Sequence, residues 1–256
     1  MHVFLHDGSF DGLLTALSRA VDTPDSFTAS DAGWQPSLLD QPERVRADPA
    51  VARKLLEAVR ARIAPAAVRR LLYLHHAEDP GLEPAALEYL RLGVQLGRKV
   101  EGYHTHPAVQ RVLEVTAAVG GEIHRLKGLL RFRRLASGWL WAPARPDHDI
   151  ILPVALHFRR RLSEERWGIH DVRRGTAVTW ADRRLEVVSE AELPARLAQV
   201  RPDRLADEEP EAQALWKTFF ENVAIPDRRN PRVQRQNVPE RYWPYLIEQP
   251  GRALRK

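Results

Sequence analysis

Apolar residues at positions 10, 13, 14, 17 and 21 recur at helical spacing, behind a short apolar run at 3–5 and a turn at Asp7-Gly8-Ser9. This pattern predicts a strand, a tight connection and a helix. Ser9 sits at the N-cap, where its hydroxyl can accept from an orphan backbone N–H. Residues 22–42 carry proline and small polar side chains and read as a loop. Helical periodicity returns over roughly 43–63, 65–76, 84–99 and 107–119, with Pro65 suited to a first helical position. Gly120-Gly121 reads as the stop of the last helix, with a short continuation around 122–126.

From Gly128 the period shifts towards two. Residues 129–135 and 139–142 read as strands around Ala136-Ser137-Gly138, and Pro143 and Pro146 end the second. Residues 147–149 are placed to cap a helix carrying Ile151, Ala155, Phe158 and Leu162. A hairpin at 167–172 and 176–180, a strand at 184–188 and helices near 190–206 and 209–221 follow. The class is therefore α+β: an N-terminal helical layer, then a small antiparallel sheet with an inserted helix, then C-terminal helices. One domain over 1–256 is expected. Its parts are a mainly helical stretch (1–121), a basic sheet with its inserted helix (122–189), and helices with a proline-rich tail (190–256).

The loop of the first hairpin sets the chemistry of its faces. A two-residue loop puts Trp139 and Trp141 on a face with Leu130 and Phe132. A three-residue loop slips the register by one and puts both rings beside Arg131 and Arg133. Gly138 suits the left-handed third position of the longer loop. Arginines interleaved with aromatic rings on one face make a platform for stacked bases and phosphates.

Composition sharpens this. The net charge is +5, yet residues 125–174 hold twelve Lys/Arg against five Asp/Glu, a local +7 that leaves −2 for the remainder. Such asymmetry points to an anionic partner. Arg159, Arg160 and Arg161 end the inserted helix, where cations also complement the helix dipole, and Arg173 and Arg174 fill a turn. The absence of cysteine excludes disulfides, thiolate metal sites and a cysteine nucleophile. No apolar run is long enough to span a bilayer and the first residues lack a signal-peptide pattern, so no membrane partner and a cytoplasmic location are expected.

Ten histidines raise acid–base or metal chemistry. His124, His148 and His157 with Asp147 are the candidates for catalysis, while no spacing defines a metal-ligand set, so no metal or other cofactor is expected. Glu122 and His124 point apart on a helix, and Glu122 reads as an ion-pair partner of Arg125. The tail adds Arg228, Arg229 and Arg232 as phosphate contacts.

"FLHDGSFDGLLTAL", "HRLKGLLRF", "PDHDIILPVALHFRRRL", "WGIHDVRRGTAV" and "IPDRRNPRVQRQNVPERYWPYLIE" together resemble a bacterial family assigned to DNA repair or DNA metabolism. Its members are encoded beside a dedicated radical-SAM protein, and some are fused to a uracil-DNA glycosylase-like domain. The resemblance implies binding of DNA or of a damaged or modified nucleotide, with the radical-SAM protein and a glycosylase-like protein as partners. It brings no catalytic residues. The alternatives are a nucleic-acid-processing enzyme, a glycosylase or metal-dependent hydrolase, using the His/Asp cluster, and an adaptor whose basic face meets an acidic protein.

Overall fold

The computed structural model describes residues 1–32, 34–223, 225 and 230–248. They form two compact units that divide at Gly120–Gly121.

The first unit is built on a three-stranded parallel sheet of β1 (His2–His6), β2 (Ser26–Ser30) and β3 (Gln41–Arg44), in the order β2-β1-β3. Its helices are α1 (Phe10–Ala20), α2 (Pro49–Arg62), α3 (Pro65–His76) and α4 (Glu83–Leu96). Ser9 caps α1 by accepting from Gly12 N–H, as the sequence predicts. β2 lies in the segment read as a loop, and β3 straddles its end and the start of the helix expected from 43, which begins instead at Pro49 behind the Asp48 cap. The buried positions of β2 are Ser26 and Thr28, so apolar alternation is missing there. The Ser26 hydroxyl reaches the carbonyls of Ala20 and Thr23 instead of needing an apolar neighbour.

Helix α5 (Pro107–Leu129) runs through Gly120-Gly121 without a break, contrary to the expected stop. Val112, Val115, Val119, Ile123, Leu126 and Leu130 are buried at three- and four-residue intervals on both sides of the glycines. Packing along that stripe outweighs the low helix propensity of the pair.

In the second unit β4 (Arg133–Arg134), β5 (Leu140–Ala144), β6 (Trp167–Asp171), β7 (Thr176–Ala181) and β8 (Arg184–Val188) form one sheet in chain order. The sheet is mixed, because α6 (Ile151–Arg161) is a crossover that makes β5 and β6 parallel; the other pairs are antiparallel. The first hairpin has the three-residue loop: Leu135 N–H donates to Trp139 C=O, Arg133 lies opposite Trp141, and Gly138 takes φ +79°. Asp182 and Arg183, both left-handed, make the two-residue β7–β8 turn. Helix α7 (Leu193–Val200) covers one sheet face, closing a core of Leu135, Trp139, Trp141, Ala177, Val188, Leu193 and Val200. Strand alternation puts Trp167, Ile169, Val178 and Trp180 on the other face. There α6 packs, with Phe132 edge-on to both Phe158 and Trp167. Helices α8 (Glu209–Val223) and α9 (Pro231–Asn237) and a 3₁₀ turn over Glu240–Tyr245 complete the unit. Among the described residues no helix is long and apolar enough to cross a membrane.

Candidate nucleic-acid interface

Glu122, on the second half of α5, is 1% exposed and collects five hydrogen bonds. Its Oε1 accepts from Asp147 N–H (3.0 Å), Arg241 Nη2 (2.7 Å) and the Tyr242 hydroxyl (2.5 Å), and its Oε2 from His148 N–H (3.0 Å) and Nδ1 (2.6 Å). Burial alone raises its pKa. His148, the Asp147 amide, Tyr242 and Arg241 outweigh burial and hold the carboxyl well below the usual carboxylate range. The same charge and the same burial push the Tyr242 phenol up. Arg241 also meets Asp147 Oδ2 at 2.9 Å.

The 146–149 turn is tied down from its other side as well. Arg173 Nη1 donates to Asp147 C=O (2.6 Å), and Arg174 reaches Pro146 C=O, Asp147 C=O and the buried Asp171 (2.7 Å). The turn therefore serves Glu122 rather than α6, whose N-cap is Ile150 with no side-chain cap.

These contacts sort the candidate residues. Trp139 and Trp141 share a face with Arg133, as the longer loop requires, but α7 buries that face. The rings are 6% and 3% exposed, and Arg166 already stands over Trp139 at 5.9 Å. They are core, and no base can stack on them. Arg131 is committed internally: it pairs with both oxygens of Glu248 (3.1 and 2.6 Å) and lies over Trp216, whose indole N–H donates to Glu248. Arg133 is half-buried and Arg174 is held by Asp171. Arg173 stays exposed with one end on Asp147. Arg228 and Arg229 lie outside the described residues. Arg232 is exposed on α9.

Arg159, Arg160 and Arg161 are exposed, and among the described residues none makes an ion pair. Burial lowers the pKa of His157 on the same helix, and Lys127, Arg161 and Arg160 lower it further. Half-buried Lys127 near the end of α5 thus joins Arg160 and Arg161 of α6 in acting on half-buried His157, and these four groups are the cationic patch. His124 is exposed one helical turn before Lys127, so it does not join Glu122. Lys127 is the member of this patch that sequence reasoning missed; its position one turn after His124 was the available signal. Among the described residues no three His, Asp or Glu groups are arranged to hold a metal ion, and the four catalytic candidates are not one cluster. His148 and Asp147 meet at Glu122, while His157 belongs to the cationic patch.

A family model covers residues 80–248, well over half of the chain. The chain belongs to the family of the domain of unknown function DUF4130. No curated protein matches it. The Glu122 cluster and the cationic patch both lie inside the DUF4130 match.

Proposed function

We propose that this DUF4130 protein binds DNA on the patch formed by Lys127, His157, Arg160 and Arg161, and works in DNA repair or metabolism beside a radical-SAM partner. The observation that carries the binding surface is the contrast among the arginines. Arg131, Arg174 and Arg241 are neutralised by Glu248, Asp171 and Glu122, whereas Arg160 and Arg161 are exposed and make no ion pair among the described residues. Unpaired cations gathered on one surface release counterions from a phosphate backbone on binding. The repair context and the radical-SAM partner rest on the resemblance of the quoted segments. The test is a salt titration of binding to labelled DNA by anisotropy. Replacing Arg160 and Arg161 by Ala is expected to flatten the slope of log K against log salt by about 0.7–0.9 for each phosphate that no longer meets an arginine. An unchanged slope removes the surface.

A second reading, a nucleic-acid-processing activity, is favoured by His148. Glu122 holds its Nδ1, while Nε2 has no hydrogen bond among the described residues and the side chain is 22% exposed. A carboxylate that fixes one ring nitrogen leaves the other to exchange a proton. His148 would be the acid–base group and Glu122 its positioning residue. Strand cleavage or base release from damaged oligonucleotides, lost in His148→Gln with DNA binding intact, is the expected result; equal turnover by the variant defeats this reading.

A further inference from the structure

Helix α8 carries an apolar stripe that stays open to solvent. Leu215, Phe219 and Val223 recur every four residues and are 65%, 57% and 60% exposed, with Phe220 open at their side. We propose that this stripe is the contact between two copies of the chain, with the two α8 helices packed antiparallel about a two-fold axis beside Phe219. The proposal goes beyond DNA binding and uses none of the residues of the cationic patch.

The helix is held to its own unit along a different side. Glu209 is buried and accepts from Arg134 N–H, half-buried Gln213 and Trp216 follow at helical spacing, and the Trp216 indole donates to Glu248. Phe219 leans on that fixed indole, with ring centroids 5.7 Å apart, so it is in place before a partner arrives. Single exposed apolar residues are ordinary, whereas neighbours gathered on one helix make the kind of patch that marks a protein contact. The pattern fits a second copy. Antiparallel packing about Phe219 sets that ring against its counterpart and Leu215 against Val223 on both sides, so each apolar group meets an apolar group, as a two-fold interface requires. At 3.6 residues per turn Lys217 and Glu221 project from the far side of the helix, so the contact buries neither charge. At the edge of the stripe Thr218 and Asn222 donate to the carbonyls of Ala214 and Thr218, and covering them strands few polar groups. Half-open side chains of this size present about 100 Å² each, so two copies cover about 800 Å² from these four positions alone. The flanking Ala212, Thr218 and Asn222 bring the contact to the about 1,000 Å² that a specific interface needs.

Sedimentation equilibrium of the full chain at micromolar concentration is expected to give twice the mass of one chain. Phe219→Glu is expected to raise the dimer dissociation constant at least about a hundredfold, because it removes a central contact from both copies. The position is exposed, so far-UV circular dichroism of the variant is expected to match wild type. The chain has no cysteine, so a single introduced thiol reports its neighbours. Phe219→Cys is expected to cross-link to its own copy with a short bis-maleimide, whereas Lys217→Cys, on the far side of the helix, is not. Mixed Leu215→Cys and Val223→Cys chains are expected to cross-link to each other ahead of either to itself, which reports the antiparallel arrangement. A wild-type monomer at every concentration, a Phe219→Glu dimer as tight as wild type, or cross-linking at 217 equal to that at 219 overturns the interface. Cross-linking of Leu215→Cys chiefly to itself overturns the antiparallel register. None of these measurements contains DNA, so their failure leaves the proposed DNA surface standing, and loss of DNA binding leaves the interface standing.

Discussion

Glu122 has one protonation state to offer, because each carboxylate oxygen is already filled by donors in a site with almost no water contact. Its pKa in the folded chain lies below the ordinary carboxylate value. The folded state therefore gains from its ionisation at and above that ordinary value, and the gain is lost as the pH falls through the lowered one. Glu122→Gln is expected to cost about 3 kcal/mol at neutral pH, the scale of breaking a buried charge network from one side. It is also expected to make the remaining stability less sensitive to acid. Urea midpoints at neutral and acid pH check both, and an unaltered acid dependence contradicts the role given to this carboxylate. Little of this was legible beforehand. Local spacing separates Glu122 from His124, and one is indeed buried and the other exposed, but it offers Arg125 as the ionic partner. The true partners stand 26, 119 and 120 residues away, beyond the reach of any periodicity.

Among elements, the helices were the most legible because they carry apolar stripes of their own, and several also a capping side chain or a proline at the start. Pro65 at the start of α3 and Ser9 before α1 fall where the pattern puts them. The strands of the first sheet were not, since β3 is the polar sequence QPER and β2 buries hydroxyls. The antiparallel expectation for the second sheet failed at one pair. Turn residues report hairpins locally, whereas a helix between two strands demands the parallel arrangement that a crossover allows. Helix α5 shows the cost of weighing a glycine pair above an unbroken apolar stripe. A Cβ on Gly121 would meet the Arg125 Nη1 at 3.3 Å, the movable end of a long side chain. Gly121→Ala is thus expected to stabilise the protein by about 0.5–1 kcal/mol through the propensity difference. A raised thermal midpoint confirms that the helix passes through this point as one piece, and a lowered one contradicts it.

At the scale of the molecule, the local excess of positive charge was visible in the sequence, but its destination was not. A sum over residues 125–174 counts Arg131 and Arg174 equally with Arg160 and Arg161. The fold turns the first two inward onto Glu248 and Asp171 and leaves the second two outside. The same inward contacts link the start of the second unit to its last described residues: Arg241 and Tyr242 close on Glu122, and Glu248 closes on Arg131. On the ribosome these pairs cannot form in the order in which the residues are made. Glu122 leaves the exit tunnel more than a hundred residues ahead of the arginine and tyrosine that satisfy it. The nascent second unit must wait with a solvated carboxylate where its core will be, and it locks only once residues 241–248 have emerged.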